Sequence, residues 1–300
     1  MTESTPVARS RPAEGLTLVM SPPDYFDVSY AINPWMDPAQ WSADAELLSK
    51  HARDGWKALR ACYEQLGAEI LVLPPAIGLP DLVFTANCGL VLDRTVFLAS
   101  YRHPERQPEQ PIGRAFFERL KADGYLDRIV SPPEGMHFEG AGDAIWDAHR
   151  RVLWSGFGMR SSAGIDRVLA ETFGVTVIPL ELRNPHFYHL DTCFCVLSRG
   201  EVLIHEKALS ARDLAVIREH VGADRVLVAS DEDADHLGVN SVSFKAPRGR
   251  DAAVLCYATD ALQGQLRERG YDVHVVDLAS FNRSGGAAFC LTLRIDQATR

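Results

Sequence analysis

Apolar residues in this chain occur in short runs, separated by segments in which they recur at helical spacing. The short runs predict strands at 16–20, 68–75, 176–182, 224–230, 252–258 and 272–278, strand pairs within 81–100, 144–156 and 192–206, and a last apolar run at 287–295. The helical spacing predicts helices at 38–67, 111–125, 161–174, 210–222 and 259–270. The order of hairpin, helix and strand returns about every 50–60 residues, so the chain holds about five such units.

This repeat predicts an α/β fold built from five strand-strand-helix-strand units. A fixed structural period of this size is typical of a repeat architecture or a propeller, and helices between the strands favour an α/β propeller over an all-β one. No Pro/Ser/Gly-rich linker divides the chain, so we expect one domain over 16–300. The polar residues 1–15 predict a disordered tail, and the proline-rich segment 21–37 predicts an ordered loop.

Charge and composition narrow the classes of partner. The formal net charge is −9 at pH 7, so we expect neither nucleic acid nor an anionic membrane surface as a partner. The chain has no N-terminal apolar segment of the signal-peptide type and no apolar run long enough to span a bilayer, which indicates a cytoplasmic protein. Its six cysteines lie in apolar surroundings without a Cys/His pair at zinc spacing, so we expect no disulfide framework and no metal site.

Two segments contain residue types that suit covalent catalysis. GGAAFC at 285–290 ends in Cys290, and its glycines allow a ligand to approach the backbone closely. HFYHLDTCF at 186–194 places His189 and Asp191 two positions apart, where they share one face of a strand, and a carboxylate beside a histidine favours acid/base chemistry. The structural alternatives are a buried cysteine at the start of the last strand and a surface histidine with a strand-end aspartate.

Two further segments place polar side chains among small or apolar residues. In HFEGAGDAIW at 137–146, Glu139 precedes a glycine-rich turn, which holds a carboxylate beside a cavity or is ordinary turn chemistry. In LPDLVFTANCGLVL at 79–92, Asp81, Thr85 and Asn87 interrupt an apolar stretch, and buried polar groups need either a ligand or backbone partners. Taken together, the cysteine, histidine and carboxylates form a nucleophile, base and orienting group. Carboxylates also hold a planar guanidinium cation through paired hydrogen bonds.

The segments FEGAGD, HLDTCF and GGAAFC, in this order, resemble the guanidino-group-modifying penteins. This superfamily contains dimethylarginine dimethylaminohydrolases, arginine dihydrolases, arginine deiminases and amidinotransferases, and the resemblance extends from about Met20 to Arg294. It implies a five-bladed α/β propeller with a central active site. It also implies a small arginine-like substrate and a reaction that needs no metal or organic cofactor. The oligomeric state stays open, with a homo-oligomer as one alternative.

The resemblance also implies roles for individual residues. Cys290 matches the nucleophile, His189 the general acid/base, and Glu139 the carboxylate that holds the guanidinium and supports the histidine. The substrate-binding positions that it implies are Asp191, Asn87, Asn33 in the INPWM loop, Asp81, and, for the α-carboxylate, Arg160 and Arg102. The reaction that follows is hydrolysis of a C–N bond in a linear amidine through a covalent Cys290-amidino intermediate.

Asn87 decides the order of the candidate activities. Deiminases and dimethylarginine hydrolases resemble this segment but have an acidic residue there, whereas a neutral amide tolerates a ureido group better than a carboxylate does. Arginine dihydrolases look like this chain at Asn87 and share the INPWM-like loop, which amidinotransferases also have. We therefore expect first a dihydrolase that converts arginine to ornithine, ammonia and carbon dioxide. The alternatives are a dimethylarginine hydrolase that yields citrulline and methylamine, then a deiminase or amidinotransferase, and last a binding pentein without activity.

Overall fold

The computed structural model describes residues 15–246 and 249–299, and the tail expected at 1–15 lies outside this part of the chain except for Gly15. The strands are β1 Thr17–Met20, β2 Glu69–Val72, β3 Gly89–Leu92, β4 Thr95–Leu98, β5 Arg128–Val130, β6 Ala144–Asp147, β7 Val152–Phe157, β8 Thr176–Glu181, β9 Phe194–Val196, β10 Val202–Ile204, β11 Val226–Val228, β12 Val242–Lys245, β13 Asp251–Leu255, β14 Tyr271–Val275 and β15 Leu293–Arg294. The helices are α1 Pro38–Ala43, α2 Ala45–Gln65, α3 Glu109–Ala122, α4 Ile165–Phe173, α5 Ala211–Val221, α6 Asp231–Asp235, α7 Asp260–Glu268 and α8 Ala279–Asn282.

The strands form five sheets of three strands each, which confirms the predicted α/β repeat. In the sheet of β6, β7 and β8, the first two strands pair antiparallel as a hairpin, and β8 returns through α4 to pair parallel with β7. Three other sheets, β3-β4-β5, β9-β10-β11 and β12-β13-β14, repeat this arrangement. Parallel pairing requires a crossover, which explains the helix before each third strand.

The remaining sheet joins the two ends of the described chain. β1 pairs parallel with β2 after α1 and α2, and β15 pairs antiparallel with β1, with Leu18 opposite Arg294. The last strand therefore takes the place that the first hairpin strand has in the other four sheets. None of the helices in the described ranges is both long enough and apolar enough to cross a bilayer.

The predicted helix 38–67 is two helices, because Asp44 interrupts it with a non-helical backbone (φ −131°, ψ 27°). Aspartate is a poor residue for a helix interior and favours caps, and Asp37 caps the first of the two helices by accepting from the amides of Ala39 and Gln40. The predicted end of the second helix is correct, since Gly67 follows it with a positive φ of 93°.

Three predicted strand segments differ from the structure in ways that matter for function. Residues 80–88 form two 3-10 turns, so the first strand predicted within 81–100 begins only at Gly89. His189 precedes and Asp191 lies in the 3-10 turn 190–192, so the two do not share a strand face, and only Leu293–Arg294 of the run 287–295 is a strand. Each of these segments contains buried polar side chains that bond to backbone or to one another. A strand ladder would leave these side chains without such partners.

The core consists of apolar clusters between neighbouring sheets, and Phe289 packs against three of them. This contact places the residue before Cys290 at the point where the clusters meet. Cys290 itself is 2% exposed. The packing of the five units therefore fixes the position of the thiol.

Candidate active site

In each of the five units, a buried polar or nucleophilic side chain lies shortly before one strand. In four units this is the first strand of the hairpin, and in the fifth it is β15, which has the equivalent place. Asn87 comes before β3, Glu139 before β6, Asp191 before β9, Asn240 before β12 and Cys290 before β15. All five are at most 2% exposed. Because the strands have equivalent places in the five units, the repeat collects these side chains from distant parts of the sequence.

The thiol of Cys290 lies between an acceptor and a donor. Its Sγ donates to Asp191 Oδ2 at 3.1 Å and accepts from Asn240 Nδ2 at 3.1 Å. Burial and the negative charge of Asp191 hold the pKa of the Cys290 thiol well above its usual value. Burial likewise raises the pKa of Asp191 to about 7, against the lowering effect of the hydrogen bonds from Cys290 and Asn240. A cation beside both groups would reverse these shifts.

His189 is oriented by an ionised Glu139. Their Nε2 and Oε2 atoms are 2.8 Å apart, and Arg160 Nη1 donates to the same oxygen at 3.0 Å. Burial opposes ionisation of Glu139, but the charge of Arg160 and the His189 hydrogen bond outweigh it, so the pKa of Glu139 falls below its usual value. An ionised carboxylate can only accept, so Nε2 bears a proton and Nδ1 is the nitrogen left for proton exchange.

Three polar atoms of the site lie close to Gly142. The point that a Cβ on Gly142 would occupy lies 2.5 Å from Asn87 Nδ2, 3.4 Å from His189 Nδ1 and 3.6 Å from Asp191 Oδ2. Among the described residues, His189 Nδ1 and Asp191 Oδ1 are buried without a hydrogen-bond partner. Buried polar atoms are normally satisfied, so His189 Nδ1, which also lies close to Gly142, is a candidate to bond to a polar ligand.

We expect Gly142→Ala to lower kcat/KM by at least about 100-fold, because its Cβ would collide with Asn87 Nδ2 and displace the amide. Gly264→Ala is the matched control, since a Cβ there meets nothing within 4 Å and the residue lies inside α7, where alanine favours the helix. Steady-state kinetics on both variants test this. Wild-type kinetics for Gly142→Ala would show that the space beside Gly142 is not used.

The orientation of the Asn87 amide is fixed by Arg106. Arg106 Nη1 donates to Asn87 Oδ1 at 2.8 Å, and its Nε and Nη2 donate to the two carboxylate oxygens of Glu109 at 2.9 Å each. A guanidinium has only donors, so the amide oxygen must face Arg106 and the amide nitrogen must face Gly142. Nδ2 also donates to Glu139 O at 3.3 Å. Asn87 therefore presents a donor to the site.

Two further predicted residues, Asp81 and Asn33, contact the turn that leads to Cys290. Asp81 accepts from Tyr30 Oη at 2.8 Å and from Ser284 Oγ at 3.1 Å. Asn33 Nδ2 donates to Ser284 O at 3.0 Å. The loop 21–37 is thus tied to the turn that leads to Cys290.

The two arginines expected near a substrate carboxylate have different environments. Arg160 is 2% exposed, bonds to Glu139 and to Ile32 O, and lies over the Tyr188 ring at 4.5 Å. Arg102 is exposed, its backbone amide donates to Glu139 Oε1 at 3.2 Å, and its Nε donates to Arg160 O. Arg102 therefore has the more accessible guanidinium.

Sequence reasoning missed three residues of the site. Asn240 contacts Cys290, Arg106 orients Asn87, and Asp143 accepts from Leu190 N and Ser161 Oγ beside His189. Burial raises the pKa of Asp143 to about 6. Asn240 precedes the first strand of its unit, as the candidates of the other four units do, but that strand, β12, was not among the predicted strands, so the sequence pattern did not single out Asn240.

The pKa of Asp191 predicts a pH-dependent stability. Its folded-state pKa of about 7 exceeds the ordinary value of 3.8, so protonated Asp191 stabilises the fold at low pH. This stabilisation is lost as the pH rises through 7. We expect Asp191→Asn to raise the free energy of unfolding at pH 8 by about 2 kcal/mol and the Tm by about 4–8 °C, and to have little effect near pH 4. Thermal unfolding at both pH values measures this. An equal Tm change at both would contradict a buried, titrating Asp191.

Comparisons with known proteins find similarity along nearly the whole chain. A family model described as N,N dimethylarginine dimethylhydrolase, eukaryotic, matches residues 23–296. The bifunctional arginine dihydrolase/ornithine cyclodeaminase ArgZ of Synechocystis sp. is 36% identical over 285 residues, 95% of this chain and 38% of that protein. The N(G),N(G)-dimethylarginine dimethylaminohydrolase of Mycobacterium tuberculosis is 34% identical over 280 residues, 92% of this chain and 84% of that protein.

A solved structure gives the same similarity in three dimensions. The N-terminal domain of ArgZ, crystallised as a variant bound to its substrate, has a TM-score of 0.85 at 34% identity and covers 95% of this chain and all of that one. This chain thus spans about two fifths of full-length ArgZ and matches its N-terminal domain.

Proposed function

This chain belongs to the dimethylarginine dimethylaminohydrolase family within the guanidino-group-modifying penteins, and within this family we propose that it is an arginine dihydrolase. The reaction consumes arginine and two waters and yields ornithine, two ammonia molecules and carbon dioxide. The observation that carries the proposal is the Asn87 amide, which presents its N–H group to the space beside His189 and Asp191. The domain expected over 16–300 is the unit proposed to perform the reaction.

The first round begins with the guanidinium of the substrate between the carboxylates of Asp191 and Glu139. A guanidinium beside Asp191 lowers the pKa of the Cys290 thiol, which otherwise stays protonated. The thiol proton passes to Asp191 Oδ2, the thiolate adds to the guanidinium carbon, and His189 donates its Nδ1 proton to the departing nitrogen, so that ammonia leaves and an amidino thioether forms. His189 then takes a proton from water, which attacks the same carbon. The products of this round are citrulline and the free cysteine.

The second round acts on the ureido group of citrulline. Cys290 adds to the ureido carbon, the second ammonia leaves, and water releases an N-carboxy ornithine that breaks down to ornithine and carbon dioxide. Guanidinium nitrogens are donors, so the Asn87 N–H gains nothing from them, whereas the ureido oxygen is an acceptor. The hydrogen bond from Asn87 Nδ2 therefore favours the intermediate product, which an enzyme that stops at citrulline must release.

The outer residues are proposed to hold the amino acid end of the substrate. Arg102, with its exposed guanidinium beside Arg160, is proposed to bind the α-carboxylate. Asp81 and Asn33 both form hydrogen bonds with Ser284. They are proposed to line the path of the substrate chain.

A dimethylarginine hydrolase is the second candidate, because the matching family model and the Mycobacterium tuberculosis relative are named for that activity. Mass spectrometry separates the two after incubation of the pure protein with L-arginine, asymmetric dimethylarginine or L-citrulline. A dihydrolase forms ornithine from arginine and from citrulline. Citrulline from dimethylarginine, with arginine and citrulline unchanged, would overturn the dihydrolase proposal in favour of the second candidate.

A further inference from the structure

Asn240 connects three segments that meet at the thiol. Its Oδ1 accepts from the backbone amides of Ala287, Phe289 and Cys290 at 3.1, 3.1 and 3.2 Å. Its Nδ2 donates to Asp191 O at 3.2 Å and to Cys290 Sγ at 3.1 Å. The side chain is 0% exposed, so these contacts exclude water from the amide.

The orientation of this amide is determined by chemistry. Backbone N–H groups can only donate, so the atom facing the three amides of the turn must be the oxygen. The amide nitrogen then faces Sγ and has one hydrogen for Asp191 O and one for the sulfur. Since the thiol proton already points to Asp191 Oδ2, Asn240 is the donor on the other side of the sulfur.

We propose that Asn240 is a further catalytic residue, whose Nδ2–H hydrogen bond stabilises the thiolate form of Cys290. The inference rests on the proposed role of Cys290 as the nucleophile. When the thiol proton moves along its hydrogen bond to Asp191 Oδ2, the sulfur gains a full negative charge and the Asn240 contact becomes a charge-assisted hydrogen bond. Such bonds are stronger than neutral ones, so the amide favours the ionised sulfur over the thiol.

Few of the groups around Cys290 can stabilise its thiolate. Asp191 faces the sulfur directly and Tyr188 interacts with it electrostatically, and both disfavour a negative charge when ionised. His189 and Glu139 bond to each other, and Arg160 bonds to Glu139. Among the largest influences on the pKa of Cys290, two lower it: the backbone amide of Ala287 and the side chain of Asn240.

The test compares two substitutions that separate donation to sulfur from support of the turn. Asn240→Asp keeps an acceptor for the three backbone amides but replaces the donor to Sγ with an oxygen. Asn240→Ala removes both functions. If Asn240 only shaped the turn, Asn240→Asp would be mild and Asn240→Ala severe. If it stabilises the thiolate, Asn240→Asp is at least as impaired as Asn240→Ala.

The readout is the rate of Cys290 alkylation by iodoacetamide as a function of pH, followed by peptide mass spectrometry. We expect Asn240→Asp to move the midpoint of this profile about 1–2 pH units higher and to lower kcat/KM by roughly 10–100-fold. Ser241→Ala is the matched control, since its hydroxyl donates to Gly238 O in the same turn, and its profile should equal that of the wild type.

A wild-type alkylation profile and wild-type kcat/KM for Asn240→Asp would overturn the inference. If Asn240→Ala does not fold, the isosteric Asn240→Asp still decides the matter, with circular dichroism as the check on folding. Alkylation does not require that arginine be the substrate. A protein inactive on arginine whose Cys290 alkylation still depends on Asn240 would refute the proposed function and leave this inference standing.

Discussion

Cys290→Ser is expected to lower kcat/KM for arginine by roughly 10⁴–10⁶-fold, close to complete loss of turnover. A serine hydroxyl is far harder to ionise than a thiol. Asp191, the acceptor of the Cys290 proton, has a pKa of about 7, which makes it too weak a base to ionise a serine hydroxyl. The hydroxyl would therefore stay a neutral donor to Asp191.

The substitution should leave the fold intact, because oxygen replaces sulfur without other changes and both neighbours remain able to bond to it. Cys256→Ser is the matched control, since that buried thiol donates to His236 O and Leu237 O and serine can do the same. Product formation and thermal unfolding are measured for both variants. Substantial turnover by Cys290→Ser, with wild-type stability, would assign the nucleophile elsewhere.

The fold was predictable where the chain repeats one local pattern. The hairpin strands β3 and β4 were recognisable from two apolar runs around LDRT, although their turn residues Asp93 and Arg94 adopt positive φ without glycine. The three-residue strand β5 and the strand β12 were missed. Neither contains three consecutive apolar residues, which is the signal that identified the equally short strands β9, β10 and β11.

The functional segments were misread as strands for a common reason. Around Asn87, Asp191 and Cys290 the residues are apolar and small enough to resemble buried strands, so periodicity alone favours strand. The structure has 3-10 turns at Asn87 and Asp191, and buried bonds between side chain and backbone connect these segments and that of Cys290 to distant parts of the chain. The polar residues that interrupted the apolar pattern were thus the better guide to local structure as well as to chemistry.

Partners of the candidate residues could not be deduced from sequence. The bond between Arg106 and Asn87 joins positions in one unit, but the contacts between Asn240 and Cys290 and between Glu139 and His189 each cross 50 residues. Each of these long-range contacts follows from the place of a residue in its unit. A repeat therefore predicts where side chains meet better than motif spacing does.

With arginine as the substrate, Asn87→Asp is expected to change the main product from ornithine to citrulline. Arg106 Nη1 would retain its partner, since it would donate to a carboxylate oxygen in place of the amide oxygen. The second oxygen would replace Nδ2 beside His189 and Asp191, where it attracts a guanidinium and repels a ureido oxygen. Losing the donor and adding this repulsion should slow the citrulline step by roughly 10²–10³-fold, and the arginine step should change much less.

Rates measured separately on arginine and on citrulline test this, with ornithine and citrulline quantified by mass spectrometry. Asn87→Ala removes the donor without adding charge, so it should slow the citrulline step and give no better binding of arginine. Asn184→Asp is the matched control for the chemical change, because an aspartate there still accepts from His186 N. If Asn87→Asp forms ornithine in the wild-type ratio, the Asn87 amide does not discriminate between the two rounds. The dihydrolase assignment would then have to rest on similarity to ArgZ alone.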